Sequence, residues 1–256
     1  MTKYETIAVI LSIIAILSPI IQWGWKKWIQ KEKLNYYPNG RATLFFNQSG
    51  SYIEIDGVYE AVNKSIVIKK IDLRITRRKD GKKLNLSWSS LISPVNQNVY
   101  GMGMQTTKTT EMAHPFRIEG NSIICAFIEF ADTFNSAGKN FSICTKELYQ
   151  QIKQMDTSTI NYEQAIEKYM ALKEYQKARD SFEKEFYWEI GKYDVVIDVN
   201  YDKKCKIFRY EMNVEEADSS QLRENIDESL IAFLKQGYGV KWNFKSIDAE
   251  LHTVNK

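Results

Sequence analysis

An uncharged apolar run near the N-terminus constrains this chain more than any other feature. Residues 6–25 contain no Asp, Glu, Lys or Arg, and Ile, Leu, Val and Ala dominate residues 7–21. At about 1.5 Å per residue, roughly twenty helical residues cross the hydrocarbon layer of about 30 Å. Pro19 removes one backbone donor, so we expect a kink near the inner end. The run predicts a transmembrane helix over residues 6–25, preceded by a short tail, residues 1–5.

The residues that follow the run predict its orientation. Trp23, Trp25 and Trp28 are typical of the aromatic belt at a membrane interface. Lysines accumulate on this side, whereas the N-terminal flank holds only Lys3 and the amino group against Glu5. The lysines are Lys26, Lys27, Lys31 and Lys33. By the positive-inside rule, we expect a single-pass protein of the cell membrane with its N-terminus outside and its C-terminal domain cytoplasmic.

Two other kinds of segment share the apolar character of this run. A cleaved signal peptide has a basic start, a shorter apolar region and a small-residue cleavage site, but here the basic cluster follows the run. A buried core helix is the second alternative, yet a helix that is apolar on every face and rimmed by Trp and Lys is unusual in a soluble protein. Both fit the sequence less well than a membrane anchor.

Positive charge is concentrated close to the run. Residues 25–83 contain fourteen Lys and Arg against six Asp and Glu, although the whole chain has a formal net charge of only +3. A positive surface beside a membrane is typical of contact with an anionic leaflet or with nucleic acid.

Strand patterns dominate the region between a basic juxtamembrane linker, residues 26–40, and about residue 145. Asp80-Gly81 predicts a hairpin turn, because glycine accepts the positive φ that such turns need. Pro94, Gly101 and Gly103 predict a loop over residues 93–110. The candidate strands are residues 42–46, 52–55, 58–62, 66–68, 71–75, 84–88, 123–130 and 141–144.

The C-terminal half mixes helical and strand patterns. Apolar residues recur at three- and four-residue steps over about residues 146–186, which predicts a helical insertion. Asp218 and Gln221 resemble a capping box for a helix over about residues 218–236 that ends at Gly237. The candidate strands are residues 193–201, 207–212 and 238–244. The pattern predicts one cytosolic domain, residues 41–256, that is mainly β and β-sandwich-like with helical insertions (α+β).

The sequence has little that resembles catalytic machinery. It contains two histidines, His114 and His252, and no phosphate-binding glycine loop, nucleophile elbow or His-Glu-x-x-His. Three cysteines without close spacing do not predict a zinc site or a disulfide framework, so we expect buried free thiols. We therefore expect no enzymatic activity, no cofactor and no metal. The apolar stripe of the helix over residues 161–186 is expected to pack on the sheet or on a second copy, which would form a homo-oligomer.

Two basic clusters are the strongest candidates for a binding site. Cations beside aromatic side chains suit single-stranded DNA or RNA, through phosphate neutralisation and base stacking. Contact with anionic lipid headgroups and a merely solvated hairpin tip are the alternatives. The candidate residues are Arg74, Arg77, Arg78, Lys79, Lys82 and Lys83 on the first hairpin, and Lys203, Lys204, Lys206, Phe208, Arg209 and Tyr210 on the second.

The topology, with an anchor at residues 6–25 and basic clusters at Arg77-Arg78-Lys79 and Lys203-Lys204, resembles that of membrane-anchored abortive-infection proteins of low-GC Gram-positive bacteria. That resemblance implies a membrane-anchored cytosolic binding module in phage defence, with nucleic acid as its ligand. Two other functional classes fit the same topology: a ligand-sensing effector that disrupts the membrane, and a non-catalytic adaptor subunit of a membrane complex.

Overall fold

The computed structural model describes residues 3–25, 30–99, 103–154 and 160–254. Helix α1 (Lys3–Gly24) begins the chain and contains Pro19. Its segment Thr6–Gly24 has a mean hydropathy of 2.2 and none of its window is buried, so it is long and apolar enough to cross a membrane. Ser12 donates to the carbonyl of Ala8 at 2.8 Å, which satisfies its hydroxyl within the helix. The predicted flanking residues at positions 26–28 lie outside the described residues.

One antiparallel sheet forms the body of the domain. Along the sheet the order is β10–β1–β2–β7–β4–β3–β8–β9–β11, with β5 paired to β4 and β6 to β3. The strands are β1 (Lys33–Asn47), β2 (Gly50–Val62), β3 (Ile66–Arg77), β4 (Lys83–Val99), β5 (Gly103–Met112), β6 (Phe116–Ile118), β7 (Ser122–Ala131), β8 (Gly191–Tyr201), β9 (Lys204–Val214), β10 (Ser246–Glu250) and β11 (His252–Thr253).

The sheet nearly closes on itself. Strand β10 pairs with β1 at one end of the order and β11 pairs with β9 at the other end, yet only Leu251 separates β10 from β11. One short segment therefore joins the two outer strands. The prediction of a mainly β domain is confirmed at this level, but its strands belong to one curved sheet rather than to the two packed sheets of a sandwich.

Alternation along the strands builds the core. In β8, Tyr193, Val195, Ile197, Val199 and Tyr201 are buried, and every residue between them is half-buried. Successive side chains of a strand point to opposite faces, so one face of the sheet is continuously apolar. The same pattern in β2 and β3 puts isoleucines on this face. Burial of this face from water is the main term that stabilises the domain.

Five helices complete the domain: α2 (Ser136–Cys144), α3 (Lys146–Gln154), α4 (Tyr162–Met170), α5 (Lys173–Glu183) and α6 (Glu216–Gly237). The stripe of α4 and α5 is covered within one chain, because the Tyr169 hydroxyl donates to the Leu230 carbonyl of α6 at 3.0 Å and Tyr175 donates to Asp227 at 2.7 Å. These side chains are therefore not available to a second copy.

Two local predictions were wrong near the helices. Residues 141–144, predicted as a strand, belong to α2, because Phe141 packs against Phe182 of α5 with ring centroids 4.8 Å apart. The capping box of α6 is formed by Glu215 and Asp218 rather than by Asp218 and Gln221, so the helix begins one half-turn earlier.

Three segments predicted as irregular or extended differ from the expectation. Residues 34–40 belong to β1, and residues 33–38 pair with β2, so the basic linker ends before Lys33. Most of the predicted loop, residues 93–110, is the paired hairpin β4–β5, with threonines suited to strands; Gly101 and Met102 lie outside the described residues. Residues 238–244 contain no strand, because backbone groups there bind α6: Glu228 accepts from the Asn243 N–H at 2.6 Å.

Candidate binding site

The two basic clusters lie at opposite ends of the sheet. Arg77 pairs with Tyr193 at one end of the β3–β8 ladder, and Ile68 pairs with Tyr201 at the other end. Tyr193 and Tyr201 are eight positions apart along β8, a span of about 26 Å at the rise of a strand. The β3–β4 turn with the first cluster and the β8–β9 turn with the second are thus too far apart to form one compact site.

We call the end with the β8–β9 turn the anchor end, because the chain arrives there from α1. Lys204 forms an ion pair with Glu32 at 2.6 Å, just before the start of β1. Asn63 of the β2–β3 turn donates to the Lys31 carbonyl at 2.9 Å at the same end. The opposite end, with the β3–β4 turn, is the far end.

The arginines of the first cluster are already paired with acidic residues. Arg74 binds Asp198 of β8 through two hydrogen bonds, one of 2.9 Å and one of 3.3 Å. Arg78 binds Asp194 at 2.6 Å and Glu211 of β9 at 2.8 Å. These partners follow the arginines by more than a hundred residues, so the sequence pattern around the hairpin did not reveal them.

Arg77 is a structural residue. Its side chain is only 4% exposed and forms ion pairs with Asp80 at 2.6 Å and Glu189 at 3.3 Å. It also donates to the Tyr187 carbonyl at 3.2 Å. The Arg77 guanidinium holds the pKa of the Asp80 carboxyl well below its usual range, with help from the Lys82 N–H. Arg77 therefore ties the β3–β4 turn to the segment before β8 and is not available to a polyanion.

The lysines of the first cluster are different. Lys79, Lys82 and Lys83 are exposed on the β3–β4 turn at the far end. They are the part of the predicted hairpin site that faces water, and no aromatic side chain of the second cluster accompanies them because that cluster lies at the anchor end.

The second cluster is divided between surface and interior. Lys203, Lys204 and Arg209 are exposed, whereas Tyr210 is 4% exposed and Phe208 is half-buried. The Lys206 ammonium lies 5.3 Å from the centroid of the Phe208 ring. Burial, and then the nearby Lys33, lower the pKa of Lys206. The two aromatic residues of the second cluster, Phe208 and Tyr210, pack against the core, where bases cannot stack on them freely.

Exposed lysines from three separate segments meet at the anchor end. Lys31 and Lys33 lie at the entry to β1, Lys64 lies in the β2–β3 turn and Lys203 lies in the β8–β9 turn. The acidic residues of this end already have partners: Glu32 pairs with Lys204, and Glu119 pairs with Arg117 at 3.0 Å. Asp202 accepts from the Val67 N–H at 3.3 Å, and Glu60 accepts from the Asn35 amide and the Tyr37 hydroxyl. The anchor end therefore carries a positive surface assembled by the fold.

A cleft of about 750 Å³ lies beside this surface, where β1 and β9 diverge. A register shift between Pro38 and Ala42 bends β1, and Gly40 takes a φ of +85° there. The cleft is lined by Tyr36, Tyr37, Pro38, Gly40, Ile207, Phe208, Arg209, Tyr210, Leu251, Thr253 and Val254.

The floor of the cleft is aromatic. The Tyr36 ring stacks on Tyr59 with centroids 4.5 Å apart and meets the edges of Phe208 at 5.5 Å and Tyr210 at 6.3 Å. A Cβ on Gly57 would lie 2.5 Å from the Tyr36 ring, so this glycine is needed for the ring's position. Burial raises the pKa of Tyr210 to about 12, and of Tyr36 and Tyr59 further still, so the phenols stay protonated.

Sequence reasoning missed this cleft because half of it was assigned to a linker. The signal was present: Leu34 and Tyr36 alternate with Asn35 and Tyr37, which is a strand pattern. Pro38 and Gly40 after it are typical of a bulge at the edge of a sheet. The sequence contained no sign that β9 lies opposite.

Catalytic groups are sparse among the described residues. In this part of the chain no group of three or more His, Cys, Asp or Glu side chains is placed to hold a metal ion. Both histidines are exposed. The cysteines are free as expected, but Cys125 and Cys205 are exposed and Cys144 is half-buried, because strands β7 and β9 turn the first two outward.

Comparison with known proteins places the chain in no family. No family model and no curated protein matches it. Among solved structures, the sporulation control protein Spo0M from Bacillus subtilis aligns with a TM-score of 0.28 and 11% identity, over 77% of this chain and 54% of that one. A family 123 glycoside hydrolase from Clostridium perfringens aligns with a TM-score of 0.30 and 10% identity, over 71% of this chain and 27% of the hydrolase. The chain thus spans only about half or less of either protein.

Proposed function

We propose that this protein is a single-pass, non-enzymatic binding module. In this proposal α1 spans the cell membrane with its N-terminus outside, and the β domain lies in the cytoplasm with its anchor end against an anionic leaflet. The observation that carries the proposal is the meeting of Lys31, Lys33, Lys64 and Lys203 at the end of the domain that α1 joins.

Chain length keeps this surface close to the membrane. Seven residues lie between Trp25 and Lys33, and an extended chain advances at most about 3.6 Å per residue. Lys33 is therefore held within about 29 Å of the end of α1. The potential of an anionic leaflet attracts lysines within a Debye length of about 8 Å, so such a tether gives the lysines of the anchor end repeated access to it.

The proposal predicts that the domain docks on anionic membranes through its anchor end. The full-length protein is placed in bilayer nanodiscs, with a fluorescent label either on Cys205 at the anchor end or on Lys79→Cys at the far end, in a background without the other cysteines. Quenching by spin-labelled headgroups is expected to be strong at Cys205 and weak at position 79, and to appear with phosphatidylserine but not with phosphatidylcholine alone. Added salt should reduce it, because exposed charges are screened.

Two matched variants test whether the lysines of the anchor end or those of the far end cause the docking. Changing Lys33, Lys64 and Lys203 to Gln is expected to remove most of the quenching at Cys205, whereas changing Lys79, Lys82 and Lys83 to Gln leaves it intact. Both variants remove three positive charges, so a general effect of net charge would change them equally. Equal quenching at both labels, or equal loss in both variants, would refute docking through the anchor end.

Single-stranded nucleic acid is the second candidate ligand, as a phage-defence role would require. It is favoured by one observation, the three exposed lysines of the β3–β4 turn at the far end, away from the membrane. Each phosphate contact contributes about −0.7 to the slope of log affinity against log salt. We expect the Lys79, Lys82 and Lys83 variant to reduce this slope by up to about 2 with labelled oligothymidylate, and the anchor-end variant to leave it unchanged. Absence of binding at low salt would exclude this ligand.

A further inference from the structure

A strand is missing from the sheet where β1 and β9 face each other. β10 pairs with β1 at residues 41–45, and β11 pairs with β9 at residues 210–211. Towards the anchor end, β1 from Lys33 to Pro38 pairs only with β2 on its other side, and β9 from Lys204 to Arg209 pairs only with β8. Two open strand edges thus border the cleft in the part of the chain that the structure describes.

The backbone groups on these edges point into the cleft. Gly40 accepts from the Leu251 N–H at 2.9 Å, and Arg209 accepts from the Val254 N–H at 3.4 Å. Peptide groups alternate in direction along a strand, so Ile207 on β9 faces the same way as Arg209. On β1 the Leu34 carbonyl accepts from Lys206 of β9, so Tyr36, two residues further along, faces the gap as well. Pro38, which has no N–H, is at a position where a strand edge tolerates proline.

A lysine side chain already donates a hydrogen bond to one of the open backbone edges in this gap. The Lys206 ammonium crosses from β9 and donates to the Leu34 carbonyl on the open edge of β1 at 2.5 Å. In a complete sheet a peptide N–H would occupy that position. The gap therefore presents acceptors that a neighbouring backbone would satisfy, and one of them is bound by a flexible lysine that a peptide can displace.

We propose that the cleft binds an extended peptide segment of a protein partner, which adds a strand between β1 and β9 and continues the path of β11. Main-chain hydrogen bonds to two edges supply affinity, and alternate side chains supply specificity. The inward side chains are apolar and pack on Tyr36, Phe208 and Tyr210. The outward side chains are acidic, because the exposed cations Lys33 on β1 and Arg209 on β9 lie on the outer face of the two edges.

A native thiol allows a direct test. Cys205 is exposed on β9 beside the gap, whereas Cys125 is exposed on β7, away from it. The probe is an acetylated and amidated octapeptide of alternating Val and Glu, with one Glu replaced by a cysteine activated as a nitrothiobenzoate mixed disulfide. Exchange releases the thiolate of the leaving group and joins peptide to protein. Cross-strand neighbours lie about 5 Å apart, so a docked peptide brings the two sulfurs together.

With full-length protein in nanodiscs, we expect the probe to label Cys205 at least tenfold faster than Cys125. The same peptide with N-methyl groups on its Val residues cannot donate to an edge, and we expect it to label both thiols at similar rates. Bound Val-Glu peptide should also slow amide hydrogen exchange in residues 34–40 and 204–210. Phe208→Ala should slow Cys205 labelling about tenfold, and Phe134→Ala, on an exposed loop, should not.

Several outcomes would overturn the proposal. Equal labelling of the two cysteines by the Val-Glu peptide would show that no strand docks. Selective labelling by the N-methylated peptide as well would identify the cleft as an apolar pocket rather than a strand acceptor. Protection of the Tyr36 and Ile207 N–H groups, which face the gap, before any peptide is added would mean that the gap is already filled by a segment of this chain.

Discussion

Replacing Arg77 with alanine is expected to lower the free energy of unfolding by about 2–4 kcal/mol, because it removes several hydrogen bonds to a charged group, which contribute about 1.5–3 kcal/mol each. The side chain is 4% exposed and bridges Asp80, Glu189 and the Tyr187 carbonyl. The substitution leaves the carbonyl without its donor, leaves Asp80 without its cation and opens space beside Tyr187. Urea unfolding monitored by circular dichroism measures the change.

Lys79→Ala is the matched control, because Lys79 lies on the same turn and is exposed. We expect it to change stability by less than about 0.5 kcal/mol. Arg77→Lys keeps the charge but loses the planar fork, so it should fall between the two. An Arg77→Ala protein as stable as the Lys79→Ala protein would contradict the structural role of Arg77 and return it to the candidate ligand-binding residues.

The ion pair between Arg77 and Asp80 has a defined pH dependence. The pKa of Asp80 is lowered in the folded state, so the unfolded chain takes up the proton first. The contribution of the pair is fully present above the unfolded pKa of about 3.9 and is lost as the pH falls below it towards the folded pKa. The stability difference between wild type and Asp80→Asn should therefore shrink between pH 7 and pH 3. A difference that stays constant would show that the carboxylate charge does not contribute.

Replacing Asn225 with alanine is expected to destabilise the domain by about 2–4 kcal/mol. The buried Asn225 amide donates to the Lys245 carbonyl at 2.7 Å and accepts from the Lys245 N–H at 2.8 Å. Its removal leaves two backbone groups without partners, and each unsatisfied buried group costs about 1–3 kcal/mol. Urea unfolding gives the total, and amide hydrogen exchange should accelerate selectively in residues 238–245.

Gln221→Ala is the control for this contact. Gln221 lies on the same helix and donates to the Ser246 carbonyl at the start of β10 at 3.1 Å, but this bond is exposed, so water replaces it when it is lost. We expect a cost below about 1 kcal/mol. Similar losses for the two variants would mean that any contact along α6 holds the segment, rather than the paired hydrogen bonds of Asn225.

Arg77 and Asn225 illustrate why some predictions failed. Arg77 belongs to a run of cations, and nothing in the run reveals that Glu189 and Tyr187 of a distant segment enclose it. Residues 238–244 alternate like a strand, but the side chains of α6 satisfy their backbone and prevent a ladder. In both cases the sequence shows the chemical character of the residues, but it does not show which distant residues contact them in the folded chain.

The two proposed surfaces would operate at one end of the domain. The anchor end carries the lysines that would meet the membrane, and the cleft between β1 and β9 opens beside them. Lys204 and Lys206 are close in sequence on β9, and they connect the two surfaces: Lys204 pairs with Glu32 at the anchor end, and Lys206 donates to the Leu34 carbonyl in the gap. A peptide bound in the cleft would therefore lie close to the leaflet, which favours a partner that is itself membrane-associated.

The sequence by itself determined the features that depend on periodicity and composition. The apolar run of α1, the alternating strands such as β8 and the helix α6 were all readable, because a residue's hydrophobicity and its position within a helical or strand repeat are local properties. Only the tertiary structure decided which strands are neighbours: that one sheet nearly closes, that Arg74 and Arg78 meet carboxylates of β8 and β9, and that β1 and β9 leave a gap. The alternation of a strand indicates which side chains are buried, but it contains no information about which edge its backbone will face.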